Sequence, residues 1–133
     1  YVRRRWNRRP AQHGKSILKV EEIIMSIIEK YIDAALNKDY EAISRLFTKH
    51  GHYNDYTPIG ALRQEYHVYG REAIAMFFRN KFFFRQFSFS SPKILNDHQI
   101  EFVASYGDYY IVALANIEYA EDGQILRMIV RAR

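Results

Sequence analysis

The sequence predicts a single α+β domain in which helices pack on one face of an antiparallel sheet. In the first part of the chain, apolar residues recur at the three- and four-residue spacing of a helix. From Phe87 onward, short apolar stretches alternate with turn signals, which is typical of a meander of strands. Helices that precede such a meander favour the α+β class. The 133 residues, 48% of them hydrophobic, are enough to bury one core.

Three helices are predicted. The first covers residues 16–37. Asp39 can cap a short second helix that continues through Phe47, because an aspartate oxygen accepts a hydrogen bond from the first helical turn. Gly70 opens the third helix, at residues 71–84. The predicted buried side of this third helix consists of Ile74, Phe77, Phe78 and Phe82.

The remaining elements are predicted strands. Residues 51–56 form a strand and residues 57–60 a turn that contains a proline, and a polar loop then leads to the third helix. Asn-Asp, Gly-Asp and Asp-Gly pairs between the later strands are typical of hairpin turns. Those later strands are predicted at residues 87–95, 98–106, 109–119 and 125–131.

The predicted strand at residues 109–119 is apolar on both faces. A sheet with one solvated face alternates apolar with polar residues. The helices can cover only one of the two faces, so we expect a second copy of the chain to cover the other, in a homodimer through the sheet. One face carries Tyr109, Ile111, Ala113, Ala115 and Ile117, and the other carries Tyr110, Val112, Leu114 and Asn116.

The net charge of +5 is confined to one end of the chain. Residues 1–24 hold seven basic and two acidic residues, whereas residues 25–133 hold thirteen of each. We therefore divide the chain into a basic N-terminal arm, residues 1–15, and one domain, residues 16–133. The arm has two interpretations: an Arg-rich segment with Trp6 that binds nucleic acid by charge and stacking, or a solvated extension foreign to the domain. Nucleic acid is expected nowhere else on this chain.

Composition argues against several kinds of site. The chain has no cysteine, so it can form neither a disulfide nor a thiolate metal site. Its histidines and carboxylates are too dispersed for a metal centre, and we expect no other cofactor. Charged residues interrupt the apolar stretch at residues 17–32, so no membrane contact is expected and the cytoplasm is the predicted location. Eleven Tyr and nine Phe exceed what a small core needs and indicate a cavity or an interface.

Two segments carry a resemblance to a known superfamily. Residues 31–55, YIDAALNKDYEAISRLFTKHGHYND, place a tyrosine at the core end of a helix and a carboxylate on the strand after a second helix. The segment GREAI follows at residues 70–74. This order resembles the nuclear-transport-factor-two-like superfamily, the cone-shaped α+β fold shared by ketosteroid isomerases and SnoaL-like proteins. The resemblance covers most of residues 25–133, and it implies a curved antiparallel (mixed) sheet that wraps around three helices and encloses an apolar pocket.

The resemblance also implies a site. Tyr31 and Asp55 match the helical tyrosine and the strand carboxylate of the ketosteroid isomerases. Asp55 would be the base that moves a proton beside a carbonyl, and Tyr31 would donate a hydrogen bond to the oxyanion. The second acid of that family falls at Ala115, which cannot donate a hydrogen bond, so we do not expect a true ketosteroid isomerase. The predicted ligand-binding residues are Tyr53, Phe77, Phe84, Tyr109, Ile111, Ala113 and Ala115.

The candidate residues also have structural interpretations. Tyr31 is then a core tyrosine at helical spacing, and Asp55 is a turn residue whose side chain bonds the following backbone. His52 alternates away from the face of Asp55, which favours a surface position for it and for His50 and His67.

Two functions therefore remain open. The first is a pocket for a small apolar molecule, with a cofactor-free acid–base reaction (isomerisation, cyclisation, dehydration or hydrolysis) on a carbonyl or an epoxide. The second is a non-catalytic ligand-binding or dimerisation module of the same fold. An Asp55 buried beside Tyr31 would favour the first function, and an exposed Asp55 would favour the second.

Overall fold

Two helices open the described chain, and four consecutive strands close it, in the computed structural model. The structure describes residues 16–58 and 64–133, with side chains from residue 26 onward. The basic arm at residues 1–15 and part of the predicted turn at residues 57–60 lie outside the described residues, so these two predictions are not tested.

The described residues confirm the α+β class. The helices are α1 (Ser16–Leu36), α2 (Tyr40–Arg45) and α3 (Arg71–Phe84). In residues 16–58 and 64–133, no helix combines the length and the apolarity that a membrane span requires. The strands are β1 (Phe47–Asp55), β2 (Tyr66–Tyr69), β3 (Phe87–Asn96), β4 (Gln99–Tyr106), β5 (Tyr109–Tyr119) and β6 (Ile125–Ala132).

The ends of the short helix α2 show where local and tertiary preferences differ. Asp39 caps the helix as predicted, because its Oδ1 accepts a hydrogen bond from the Ala42 N–H at 3.0 Å. The helix stops before Phe47, which the sequence analysis places in it. Phe47 begins β1 instead and pairs with Ile125 of β6. Pairing within the sheet thus overrides the helical pattern at this boundary.

The strands form one mixed sheet in the order β2-β1-β6-β5-β4-β3. β1 runs parallel to β6, and every other neighbouring pair in this sheet is antiparallel. The sequence analysis predicts a loop where β2 lies, because four residues are too few to show an alternating pattern. β2 nevertheless pairs with β1, and Tyr66 stands opposite Asp55.

One face of the sheet, called the inner face below, packs against the helices. Tyr53 and Asp55 of β1 lie on this face and are buried, as are Ala113 and Ala115 of β5. The opposite, outer face carries Tyr110, whose side chain is 71% exposed. The inner face and the helices enclose a core that includes Ile28, Tyr31, Ile32, Ile43, Ile74, Phe78, Phe82, Phe89, Phe102, Met128 and Val130.

Candidate functional site

Asp55, the last residue of β1, is a fully buried carboxylate. Its Oδ1 accepts hydrogen bonds from the backbone N–H of Thr57 at 3.0 Å and from the Thr57 hydroxyl at 2.6 Å. Its Oδ2 accepts a hydrogen bond from the Nζ of Lys81 at 2.8 Å. Both oxygens are therefore occupied. The predicted turn interaction and the predicted burial occur together at this one residue.

Lys81 is a buried cation on the inner side of α3. Its side chain is 7% exposed, and its Nζ forms an ion pair with Asp55. The ammonium also lies 4.3 Å from the ring centroid of Phe87 and 5.4 Å from that of Phe77, which are distances of cation–π attraction. Burial alone would lower the pKa of Lys81, but Asp55 and Tyr106 together outweigh this effect and the pKa is raised. The Lys81 ammonium therefore keeps its proton at neutral pH.

Two buried tyrosines stand near this ion pair. Burial raises the pKa of Tyr31, and the negative charge of Asp55 raises it further. The pKa of Tyr53 is also raised, first by burial and then by Asp55. Both hydroxyls therefore stay protonated at neutral pH and can donate hydrogen bonds. The structure thus places a protonated Tyr31 where the charge of Asp55 acts on it.

A cavity of about 600 Å³ opens beside the ion pair. It lies where three junctions meet: the end of β1, the connection from α3 to β3, and the hairpin between β4 and β5. A second cavity of about 70 Å³ shares Tyr66, Arg85 and Tyr106 with the first. The large cavity is also lined by Thr57, Pro58, Gln86, Asp108 and Tyr109. The small cavity is also lined by Phe77, Asn80 and Lys81.

The position of Lys81 decides which end of the ion pair a ligand would meet. Lys81 lines the small cavity, whereas Asp55 lines neither cavity. Asp55 thus lies on the side of Lys81 that faces away from the cavities, and its carboxylate holds the ammonium in position. Tyr106, which lines both cavities, has a buried hydroxyl whose oxygen interacts with the Lys81 ammonium and whose proton has no acceptor among the described residues. A polar group of a ligand could bind this hydroxyl and the ammonium of Lys81.

The predicted ligand-binding residues do not all lie together. Tyr109 lines the large cavity and Phe77 the small one. Phe84 lines neither cavity: its side chain is 68% exposed, under the guanidinium of Arg79. The reason is helical geometry, since Phe84 is two residues from the buried Phe82 and so lies on the other side of α3. The core contains Tyr53, Ala113 and Ala115, with Ile111 half-buried.

Ala115 lies in the same cross-strand row as Asp55. Asp55 pairs with Val130 of β6, and Val130 pairs with Ala115 of β5. Two strand spacings of 4.7–4.9 Å place the Asp55 and Ala115 backbones about 10 Å apart. The buried methyl group of Ala115 supplies no hydrogen-bond donor. The described site therefore lacks the second acid that the resemblance to ketosteroid isomerases would place there.

His52 and His67 lie away from the ion pair. His52 is on the outer face, where its ring is 4.6 Å from the ring of Tyr69. His67, which is exposed, lies 3.2 Å from the Asn54 side chain. The alternation that directs Asp55 inward directs these neighbours outward.

Sequence analysis missed Lys81, although the pattern that could have revealed it is present. Ile74, Phe77, Phe78 and Lys81 occupy positions i, i+3, i+4 and i+7 of α3, which form one helical face. A lysine at the next position of a buried apolar face needs a buried anion as its partner. Its presence therefore indicates a buried carboxylate elsewhere in the fold. The other cavity-lining residues, Tyr66, Arg85 and Tyr106, come from three element ends. Only the tertiary fold brings them together.

No family model matches the sequence, and no curated protein matches it. Solved structures do match. An NTF2-like protein of unknown function from Cytophaga hutchinsonii is 13% identical with a TM-score of 0.62, covering 83% of this chain and 89% of the other. A SnoaL-like protein of unknown function from Burkholderia thailandensis is 12% identical with a TM-score of 0.61, covering 84% of this chain and 94% of the other.

A steroid delta-isomerase from Pseudomonas aeruginosa matches to a similar degree, at 16% identity and a TM-score of 0.58, covering 84% of this chain and 80% of the other. Identities this low show a shared fold and do not extend to a shared activity. The resemblance inferred from the sequence is confirmed at that level: the chain has the cone-shaped fold of the nuclear-transport-factor-two-like superfamily.

Proposed function

We propose that this chain is a small-molecule-binding protein whose ligand occupies the cavity of about 600 Å³ beside Lys81. The observation that carries the proposal is the buried Asp55–Lys81 ion pair, whose cationic end lines the adjoining cavity. A buried ion pair contributes little to stability compared with apolar residues of similar size. Its place beside a cavity, next to the buried Tyr106 hydroxyl, supports a role in binding.

The lining suggests how a ligand would be held. Tyr109 and Pro58 offer apolar surface in the large cavity. The Tyr106 hydroxyl can donate to a carbonyl or epoxide oxygen, since its proton has no acceptor among the described residues. Lys81 adds a fixed positive charge in a region of low dielectric, where a hydrogen bond to an oxygen acceptor is strong. A small apolar molecule with one oxygen acceptor fits this arrangement.

A cofactor-free acid–base reaction is the second candidate. The observation in its favour is that Asp55 is buried and that its charge acts on the protonated Tyr31. Burial of Asp55 meets the criterion set by the sequence for a catalytic pair. The position of Asp55 argues against it, because Asp55 lines neither cavity and a ligand there would meet Lys81 first. Binding without turnover is therefore the leading proposal.

We also propose that the chain forms a homodimer through the outer face of the sheet. Tyr110 and Val112, on neighbouring positions of β5, are 71% and 41% exposed. Val112 pairs with Val103 of β4, which widens the apolar surface. Exposed apolar surface of this kind on a sheet is commonly covered by a second chain.

Mapping a ligand by NMR tests the leading proposal. A small apolar ketone, 2-acetylnaphthalene, would be titrated into ¹⁵N-labelled protein. We expect the backbone shifts to change at Gln86, Tyr106 and Asp108, around the large cavity, and not at Tyr110 on the outer face. Changes confined to the outer face, or no saturable changes at all, would contradict binding in the cavity. Conversion of an added carbonyl substrate, abolished by Asp55→Asn, would instead favour the acid–base reaction.

A further inference from the structure

We propose that the natural ligand of the cavity is a carboxylic acid whose carboxylate enters the small cavity between Arg85 and Lys81. This inference rests on the proposed binding function and specifies the class of ligand. The small cavity, of about 70 Å³, can admit a group of a few atoms but no ring. The rest of the ligand would lie in the adjoining cavity of about 600 Å³.

The charges that line the small cavity support an anion. In the described part of the chain, its lining contains two cations, Lys81 and Arg85, and no carboxylate. The carboxylate of Asp55, which lines neither cavity, neutralises the positive charge of Lys81. Among the described residues, Arg85 has no carboxylate within ion-pair distance, and its hydrogen-bond partner is the neutral hydroxyl of Tyr66. The small cavity therefore has one uncompensated positive charge.

Arg85 has the donors that a carboxylate needs. A guanidinium carries five N–H donors, and its planar geometry matches the two oxygens of a carboxylate. One terminal nitrogen of Arg85 donates to the Tyr66 hydroxyl, and the guanidinium carbon lies 5.6 Å from the Tyr66 ring centroid. This contact holds the guanidinium at the junction of the two cavities, because Tyr66 lines both. The other nitrogens remain available to a ligand.

Two further groups define the position of the anion. Tyr106 supplies a buried hydroxyl whose oxygen interacts with Lys81 and whose proton, without an acceptor among the described residues, can be donated to a carboxylate oxygen. Asp108 lines the large cavity and not the small one. Its negative charge would repel an anion placed near it. The carboxylate is therefore directed towards Arg85, with the uncharged part of the ligand towards Tyr109.

A purely structural role for Arg85 makes a different prediction. Arg85 directly follows the last turn of α3, where a positive charge interacts favourably with the negative end of the helix. In that role Arg85 would contribute to stability without distinguishing charged from neutral ligands. The preference between two ligands of the same shape therefore separates the two roles.

The test compares naphthalene-2-carboxylate with 2-acetylnaphthalene, which have nearly the same shape and differ in charge. Dissociation constants would be measured by NMR titration at neutral pH. We expect the carboxylate to bind about tenfold more tightly than the ketone. Arg85→Gln should remove this preference and leave the affinity for the ketone within about twofold. Arg79→Gln is the matched control, because Arg79 lies on α3 and lines neither cavity.

The outcomes separate this inference from the proposed function. Equal affinities for both probes, mapped to the cavity, would overturn the inference and leave the binding function intact. A preference that survives in Arg85→Gln would overturn the assignment to Arg85. Failure of both probes to bind would contradict both proposals. Added salt provides an independent measure, since it should weaken binding of the carboxylate and not of the ketone.

Discussion

The ammonium of Lys81 lies 2.8 Å from Oδ2 of Asp55, with both side chains removed from solvent. This ion pair joins α3 to the end of β1 and adjoins the cavity that we propose as the binding site. Removing one partner would leave the other as a buried, unpaired charge, which is far more costly than losing both. The same pair thus fixes the position of a cation for binding and makes the fold sensitive to its loss.

Substitution of Lys81 should destabilise the protein strongly. We expect Lys81→Met to lower the free energy of unfolding by about 3–5 kcal/mol, because the Asp55 carboxylate stays buried without its cation. Urea unfolding followed by circular dichroism measures the change. The double variant Asp55→Asn/Lys81→Met should recover part of the loss. Arg79→Met on the same helix, outside the cavities, should cost less than about 1 kcal/mol. A double variant as unstable as Lys81→Met would refute the ion-pair explanation.

Alkaline pH should destabilise the fold through its buried tyrosines. Burial and the Asp55 charge raise the pKa of Tyr31 above its ordinary value of 10.0. The unfolded chain therefore releases this proton at a lower pH than the folded chain does. Stability is fully present below pH 10.0 and is lost as the pH rises through the folded-state pKa. Tyr53 should act in the same direction.

The slope of this pH dependence provides the measurement. Each such tyrosine lowers the free energy of unfolding by at most about 1.4 kcal/mol per pH unit in that range. Urea unfolding at a series of pH values from neutral upward would give the curve. Tyr31→Phe should make the alkaline part less steep, since the variant has one fewer proton to lose. A slope that is the same in the wild type and in Tyr31→Phe would exclude Tyr31 as a source.

Periodicity was sufficient for most of the fold. The bounds of α3 and of β5 agree with the predicted ranges, because long segments average out single irregular residues. β2 could not be predicted from its four residues, since its pairing with β1 is a tertiary contact. Phe47 belongs to β1 for the same reason. The local hydrophobic pattern therefore determines the bounds of the long elements, whereas pairing within the sheet determines those of the short ones.

The candidate site was less predictable than the fold. The resemblance to ketosteroid isomerases indicates Asp55 as a candidate, and its placement beside Thr57 follows from local chain geometry. Its partner Lys81 is 26 residues away along the chain. No local rule connects the two, apart from the need of any buried lysine for an anion. The volume and the lining of the cavities depend on side-chain packing, which cannot be predicted from the periodicity of the sequence.

The proposed dimer predicts that a charge on the outer face will separate the subunits. Val112→Glu should shift the protein from dimer to monomer in sedimentation velocity experiments, because the carboxylate would be buried in the interface without a partner. Phe84→Glu is the matched control, since Phe84 is 68% exposed on α3 and lies outside the sheet. A wild type that is monomeric at all concentrations would reject the dimer, as would equal effects of both substitutions.

The hydroxyl of Tyr106 should contribute to binding and not to stability. It is buried, its oxygen interacts with the Lys81 ammonium, and its proton has no acceptor among the described residues. The two effects of Tyr106→Phe oppose each other, so we expect the free energy of unfolding to change by less than about 1 kcal/mol. The affinity for 2-acetylnaphthalene should fall by about tenfold, because a ketone oxygen loses its donor.

Tyr109→Phe, in the same cavity, should weaken binding less than Tyr106→Phe does, because Tyr109 is 40% exposed and water can bond its hydroxyl. Unfolding curves and NMR titrations of both variants would test this. A marked loss of stability in Tyr106→Phe would mean that the hydroxyl serves the fold, and unchanged binding would remove it from the site. The combination of stable folding and weakened binding is expected only of a polar group that is kept for a ligand.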